Sequence, residues 1–293
     1  MSIESVAILS PGDMGHAIGK LLKENEMRVL TCLAGRSDRT RELSENAGII
    51  DVPNLNDLVE QSDVIMSVTV SEAVPGLCHA IADAVKATEA DLLFAECNAI
   101  APALSSQMQK VLNEGGSRYV DASIIGPPPR NGSSPRLYVS GDNAAEMEQL
   151  RDFGLDVRNL GNQLGRASGI KMCYAAMTKG TAALHTELLI AAEKMGLSEE
   201  LLIEFTNGHQ SVVDRMQSWI PSMPAKSRRW VSEMEEIEAT FRDLGLTPNI
   251  FKGVADMYRS VGATKLGDEN PETRDTNRDL AETIRIIADA SGN

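Results

Sequence analysis

The chain has 293 residues, enough for one or two domains with a sizeable core, and we predict two. Its 28 Lys and Arg against 42 Asp and Glu give a formal net charge of −14, which argues against nucleic acid and anionic membranes as partners. The four cysteines form no C-x-x-C pair, so neither a metal site nor a disulfide framework is indicated. The sequence shows no signal-peptide pattern and no apolar run long enough to span a bilayer, so we expect a cytoplasmic protein.

The opening segment, residues 6–22, is an apolar strand that runs directly into a glycine turn and a helix. Gly12 lets the backbone approach a pyrophosphate, Gly15 lets the helix pack on the strand, and the helix N-terminus presents free N–H groups. Ser10 stands where the first glycine of G-x-G-x-x-G is expected, so an ordinary strand-turn-helix remains the alternative. We interpret the turn as a dinucleotide site, with cofactor contacts from Ser10, Pro11, Gly12, Asp13, Met14 and Gly15.

The predicted second strand, Arg28 to Leu33, ends where a dinucleotide fold contacts the adenosine ribose. Gly35, Arg36 and Ser37 lie in that turn, whereas a fold that selects NAD usually places an acidic residue there. A guanidinium beside a hydroxyl suits a 2′-phosphate. The pattern favours NADP (NADPH) over NAD, and a solvated basic turn is the alternative.

Two more buried strands are predicted at Asp63 to Val70 and Asp91 to Ala95, with helices at Thr40 to Ala47 and Glu72 to Ala87. Ligands in such sheets lie beyond the carboxyl ends of the strands. We therefore expect Val68, Thr69 and Val70 to border the nicotinamide half of the cofactor. Asn98 can bind a ribose or a substrate, and a helix N-cap is an equally good interpretation.

A helix from Pro102 to about Asn113 and a strand from Arg118 to Ala122 follow. The glycine and proline content of Asp121 to Gly141 predicts a long ordered loop, which returns into a last strand at Leu137 to Ser140. Strand-helix units repeat up to Asn159, so the fold class is α/β with a doubly wound, mostly parallel sheet in residues 1–164.

Residues 165–293 show no strand alternation and form a predicted all-α domain. A nearly unbroken apolar pattern predicts a long buried helix. The predicted helices are Ser168 to Met195, Ser198 to Thr206, Gln210 to Ser218, Arg228 to Leu244, Asn249 to Gly262 and Leu280 to Ala290.

Lys171 lies one turn inside the long helix among apolar neighbours, where a charge is unusual unless it is paired or functional. At about 100° per residue, Tyr174 and Thr178 share its face and Lys179 lies about 80° away. A lysine beside a second cation can exchange a proton with a substrate oxygen, and the second lysine can hold an anion. The alternative is that Lys171 extends to solvent, as helical lysines usually do.

The ordered set of motifs resembles the β-hydroxyacid dehydrogenases, the superfamily of 6-phosphogluconate and 3-hydroxyisobutyrate dehydrogenases, over nearly the whole chain. The motifs are SPGDMG (10–15), GRS (35–37), SVTV (67–70), ECNAIAP (96–102), DASIIGP (121–127) and SGIKMCYAAMTKG (168–180). Residues 223–241 resemble a bacterial subgroup with a short helical second domain.

This resemblance implies a Rossmann-type NADP-binding domain, Lys171 as general acid/base, and a homodimer formed through the helical domain. The implied substrate contacts are Asn98, Ser123, Ile125, Gly126, Thr178 and Lys179. The chain departs from the superfamily at Ile125, where a serine is usual, at Pro127, where a glycine is usual, and at Ala175, where an asparagine is expected. Tyr174 is a candidate replacement hydrogen-bond donor.

The sequence therefore predicts hydride transfer between NADP(H) and an alcohol or ketone on a small anionic substrate, a hydroxy or oxo acid, phosphate or phosphonate. Three alternatives stay open. They are oxidative decarboxylation of a sugar acid, with Glu187 or Glu233 as a second acid, imine reduction, and NADP sensing without turnover.

Overall fold

The computed structural model describes residues 2–129 and 134–290, and the chain divides into two compact units, residues 1–172 and 173–293. None of the helices formed by these described residues is long and apolar enough to cross a membrane. Within the same ranges, no group of three or more His, Cys, Asp or Glu side chains is placed to hold a metal ion.

The first unit contains one eight-stranded sheet in the order β3-β2-β1-β4-β5-β6-β7-β8. Only the β6–β7 pair is antiparallel among the described pairs. The strands are β1 (Ser5–Leu9), β2 (Arg28–Thr31), β3 (Ile50–Asp51), β4 (Val64–Ser67), β5 (Leu93–Glu96), β6 (Arg118–Ile125), β7 (Arg136–Ser140) and β8 (Asp156–Asn159). The reversal of strand order beside β1 is the switch point typical of doubly wound sheets, so the predicted fold class is confirmed.

Helices cover both faces of this sheet. Successive residues of a strand point to opposite faces, so each strand contributes side chains to the apolar core on both sides. Val6 and Ile8 of β1 belong to one apolar cluster, and Ala7 and Leu9 belong to the other. The helices are α1 (Gly15–Glu24), α2 (Asp38–Asn46), α3 (Leu55–Glu60), α4 (Val74–Thr88) and α5 (Pro102–Glu114). Continuous apolar strands such as β1 are the expected consequence of burial on both faces.

The structure corrects the predicted loop at Asp121 to Gly141, because β6 continues to Ile125 and pairs with β7 as a hairpin. Burial on the sheet and the β-branched pair Ile124 and Ile125 override the nearby glycine and prolines. Residues 130–133, which fall in the predicted loop, lie outside the described residues. Short elements at β3, α3 and β8, and a 3-10 helix at Ala144–Phe153, also carried too few residues for a periodicity to identify them.

Helices make up the regular structure described in the second unit. They are α6 (Arg166–Met195), whose first residues belong to the first unit, α7 (Ser198–Trp219), α8 (Pro224–Asp243), α9 (Asn249–Gly262) and α10 (Leu280–Ala290). Two separate helices were predicted over Ser198 to Ser218, and the structure instead has α7 with non-helical dihedral angles at His209. The predicted break thus corresponds to a kink.

Candidate active site

Five parallel strands end at one edge of the sheet, and the predicted cofactor segments follow them. Residues 10–15 follow β1, residues 35–37 lie beyond β2, residues 68–70 follow β4, Asn98 lies beyond β5 and Gly126 follows β6. Because carboxyl ends of parallel strands share an edge, the fold brings these segments together within the first unit.

The glycine turn after β1 is tightly folded. Ser10 has φ +60°, the left-handed region that non-glycine residues seldom adopt, and its carbonyl accepts a 2.7 Å hydrogen bond from the Gly12 N–H. A Cβ on Gly15 would lie 3.0 Å from Ile8 Cγ2 and 3.1 Å from the Ser10 carbonyl oxygen, so Gly15 is needed for α1 to approach β1. This is the packing role predicted for Gly15.

The same turn has features that fit a phosphate. The Ser10 hydroxyl is buried without a hydrogen-bond partner among the described residues, so it can donate to a ligand. A Cβ on Gly12 would meet only the Ser10 carbonyl oxygen, at 3.9 Å, so the space beside Gly12 is open. The helix α1 begins at Gly15, so its positive N-terminal end lies beside that space, while the His16 N–H donates to the Gly12 carbonyl at 3.0 Å.

Three arginines surround the turn after β2. Arg41 donates to the Leu33 carbonyl at 2.6 Å, and Arg39 pairs with Asp13 of the glycine turn. The guanidinium of Arg36 is half-buried and has no partner in residues 2–129 or 134–290. Ser37 caps α2 by accepting from the Thr40 N–H at 3.3 Å. Arg36 is therefore available to an anion at this position.

Asn98 ties the ends of β4 and β5 together. Its Oδ1 accepts from the Thr69 N–H at 2.5 Å, and its Nδ2 donates to Ser67 Oγ at 2.8 Å and to Glu96 Oε1. The helix α5 is capped by Ala101, which excludes the N-cap interpretation of Asn98. Since both Nδ2 hydrogens are used, only Oδ1 keeps a lone pair for the predicted contact with ribose or substrate.

Glu96 is fully buried beside Asn98. Its Oε1 also accepts from the Asn98 N–H at 3.0 Å, while Oε2 is buried without a partner in the described part of the chain. Burial raises the pKa of Glu96 to about 8, and the hydrogen bonds from Asn98 oppose this rise. A carboxyl group with a pKa of about 8 thus lies at the carboxyl end of β5, beside Asn98.

Asp121 and Ser123 of β6 anchor the start of α6. The Asp121 Oδ2 atom accepts from the backbone N–H groups of Ala167 and Ser168, both at 3.0 Å, and from Ser140 Oγ at 2.7 Å. Ser123 Oγ donates to the Ala167 carbonyl at 2.7 Å. Carboxylate acceptance of N–H groups at a helix N-terminus is a strong form of capping.

Lys171 lies in the segment that these contacts anchor. Its Nζ donates to the Ile124 carbonyl at 2.5 Å, which places the amine at the carboxyl end of β6, beside Gly126. Gly126 has φ +131°, and a Cβ there would lie 3.4 Å from Pro135 Cα, so this position requires glycine. The side chain of Ile125 is buried, so any substrate contact at this residue must come from its backbone.

The remaining predicted residues belong to the second unit. Tyr174 is 41% exposed, while the hydroxyl of Thr178 donates to the carbonyls of Tyr174 and Ala175 in its own helix. Lys179 pairs with Glu233 of α8. The described contacts thus commit the Thr178 hydroxyl and the Lys179 amine within the unit.

Lys179 is the centre of a buried cluster. Its Nζ lies 5.1 Å from the centre of the Trp230 ring, and Tyr258 donates to the Lys179 carbonyl at 2.7 Å. Burial lowers the pKa of Lys179, and Glu233 acts in the opposite direction. Glu233, a candidate second acid in the decarboxylase alternative, is thus engaged with this lysine.

Three features of the candidate site were missed in the sequence: the Asp13–Arg39 pair, the Asp121 anchor and the buried carboxyl of Glu96. Each joins residues that are at least 25 positions apart or depends on burial, so no local pattern marks it. For Asp13 the one available signal was an acidic residue inside a turn predicted to bind phosphate.

Two families match the chain. The family described as the NAD binding domain of 6-phosphogluconate dehydrogenase matches residues 5–153, and a domain family of unknown function, DUF1932, matches residues 192–261. The second match lies in the helical part that contains Trp230, Glu233 and Tyr258.

Three known proteins are similar over most of their lengths. An uncharacterised 28.5 kDa protein of Methanothermus fervidus is 27% identical over 258 residues, which are 87% of this chain and 98% of the relative. The conserved protein MTH1747, described as structurally similar to 3-hydroxyacid dehydrogenases, is 25% identical, with a TM-score of 0.64 and coverage of 88% and 96%. The Mycobacterium tuberculosis 3-hydroxyisobutyrate dehydrogenase shares the fold at 15% identity, with a TM-score of 0.67 and coverage of 97% and 99%.

Proposed function

Because the chain belongs to the β-hydroxyacid dehydrogenase superfamily, we propose that it is a cytoplasmic NADP(H)-dependent oxidoreductase with Lys171 as its general acid/base. A nicotinamide dinucleotide bound at the sheet edge supplies or accepts the hydride. The substrate is a small anion that carries a secondary alcohol or a ketone.

The position of Lys171 carries this proposal. Its amine is held by the Ile124 carbonyl at the carboxyl end of β6, on the sheet edge that also carries the glycine turn. In reduction the ammonium of Lys171 gives its proton to the forming alkoxide, and in oxidation the free amine takes the hydroxyl proton. The hydrogen bonds from the start of α6 to Asp121 keep the Lys171 amine at this end of β6.

Different groups of the chain bind different parts of the cofactor. The N-terminal end of α1 and the Ser10 hydroxyl bind the pyrophosphate, Arg36 and Ser37 bind the 2′-phosphate, and Val68 to Val70 border the nicotinamide. Gly126 lies two residues after Ile124, whose carbonyl binds Lys171, and its backbone N–H suits a carboxylate, phosphate or phosphonate oxygen of the substrate.

The decisive experiment is NADPH consumption against small 2-oxo and 3-oxo acids, semialdehydes and keto phosphonates. We expect turnover with at least one anionic ketone, and we expect Lys171→Ala to lower kcat by about 100-fold or more, since general acid/base catalysis contributes roughly that factor. Lys194→Ala is the matched control, because Lys194 is an exposed lysine near the other end of α6. Normal turnover in Lys171→Ala would exclude the proposed role.

The cofactor preference is tested at Arg36. Charge reversal in Arg36→Glu should raise the KM for NADPH by about 10-fold to 100-fold, because charge-assisted hydrogen bonds to a phosphate are worth about 1.5–3 kcal/mol. The KM for NADH should change by less than about threefold, because NADH lacks the 2′-phosphate. Equal changes for the two cofactors would refute NADP selection by Arg36.

We also propose a homodimer formed through the helical unit. An apolar groove of about 480 Å³ lies between α6 and α9, and the side chains of Leu184 and Ile250 at this groove are 64% and 61% exposed. Leu184→Glu should convert the dimer to a monomer in light scattering, whereas an unchanged mass would place the interface elsewhere.

A further inference from the structure

A carboxylate lies inside the turn that is proposed to hold a pyrophosphate. Asp13 belongs to residues 10–15, and a negative charge there repels the phosphates that the helix N-terminus attracts. The net charge of −14 gives the chain no general excess of cations to offset this repulsion. A local cation is needed, and the structure supplies Arg39 from the next βα turn.

The Arg39 guanidinium pairs with Asp13 Oδ1 across 26 positions of sequence. The two side chains are 37% and 28% exposed, so the pair contributes little to folding stability, in the range of about 0–1 kcal/mol for exposed pairs. Arg39 is also the second residue of α2, where a positive charge is unfavourable to the helix dipole. The helix dipole therefore does not account for an arginine at this position.

We propose that Arg39 supports cofactor binding by neutralising Asp13, so that the glycine turn accepts the pyrophosphate of NADP(H) and NAD(H) alike. This inference rests on the proposed function, because it requires a dinucleotide on residues 10–15. The inference gives different roles to Arg36 and Arg39, which lie three residues apart after β2. Arg36 discriminates between the two dinucleotides through the 2′-phosphate, and Arg39 supports the half that they share.

The test is direct binding of NADPH and NADH, followed by the fluorescence of the reduced nicotinamide, with protein stability monitored by thermal unfolding. Arg39→Met should raise both Kd values by the same factor, about tenfold, which corresponds to about 1.4 kcal/mol. The double variant Asp13→Asn/Arg39→Met should return both Kd values to within about threefold of the wild-type values, because the repelling carboxylate is then absent.

Two controls make the result specific. Asp38→Asn/Arg39→Met removes the exposed carboxylate next to Arg39 in α2 but leaves Asp13. The Kd values of this variant should therefore stay as high as those of Arg39→Met. Arg36→Met should weaken NADPH binding only. All variants should unfold at temperatures close to that of the wild type, since the pair is partly exposed.

The inference fails if Arg39→Met changes both Kd values by less than twofold, or if it weakens NADPH alone, which would assign Arg39 to the 2′-phosphate. It fails equally if the double variant with Asp13→Asn binds as weakly as Arg39→Met, because Arg39 would then act without reference to Asp13. If the wild type binds neither dinucleotide, the proposed function itself is wrong.

Discussion

Two carboxyl groups occupy neighbouring positions in the sheet and have opposite environments. Glu96 of β5 and Asp121 of β6 are register partners, and both are fully buried. Asp121 accepts from four donors: the N–H groups of Ala167 and Ser168, and the hydroxyls of Ser105 and Ser140. Glu96 accepts from the N–H and Nδ2 groups of Asn98 and from the Ser67 hydroxyl, and its Oε2 has no partner in the described residues.

The two carboxyl groups are equally buried but differ in the donors they contact, and so in what they do. Hydrogen bonds to the charged form of Glu96 oppose the rise in pKa that burial causes, and burial outweighs them. Asp121 serves as an anchor for the helix that carries Lys171. Glu96 is raised in pKa to about 8 and becomes sensitive to pH in the neutral range.

The largest expected effect is that of Asp121→Asn. The neutral amide removes the negative charge that four buried donors face, and an N–H group replaces one of the two acceptor oxygens. We expect the free energy of unfolding to fall by about 3–5 kcal/mol, measured by urea denaturation at pH 7. A loss below about 1 kcal/mol would show that Asp121 is not the anchor of α6.

Glu96→Gln should raise the free energy of unfolding at pH 7, the opposite of the effect of Asp121→Asn. Between the ordinary pKa of 4.5 and the folded value of about 8, the folded protein holds a proton that the unfolded chain has released. Wild-type stability therefore falls as pH rises through this window, by about 1.4 kcal/mol per pH unit, and the fall ends above pH 8. Glutamine does not titrate, so the variant should be more stable than the wild type by roughly 3 kcal/mol at pH 7.

Urea denaturation of the two proteins from pH 4.5 to 9 measures this difference. The advantage of Glu96→Gln should shrink towards zero near pH 4.5 and stay constant above pH 8. A difference that does not depend on pH would contradict the raised pKa of Glu96.

The smallest expected effect is that of Ser123→Ala, which removes one neutral contact from the β6 anchor. The hydroxyl donates to the Ala167 carbonyl, so its loss should cost about 1 kcal/mol of stability. If Ser123 serves only the anchor, kcat/KM should change by less than about threefold. A larger loss of kcat/KM would support the predicted contact between Ser123 and the substrate.

The candidate site was predictable where residues lie close in sequence. The glycine turn and the strand ends at Val68 and Asn98 follow from apolar runs and the breaks after them, and the structure places them on one sheet edge. The end of β6, residues 123–125, was misread as loop, because cross-strand pairing over Ile124 and Ile125 outweighed local turn signals. The partner of Lys179 was not foreseen, because Glu233 lies 54 positions away.

The sequence by itself determined the α/β class, the helical second part and the superfamily, because hydrophobic periodicity and short motifs are local properties of a chain. Only the tertiary structure decided which charged groups meet which partners: Asp13 meets Arg39, Lys171 meets the Ile124 carbonyl, and Asp121 meets the N–H groups at the start of α6. Those contacts depend on the order of strands in the sheet and on burial. Burial sets the electrostatic cost that each partner must offset, and burial cannot be read from a short stretch of sequence.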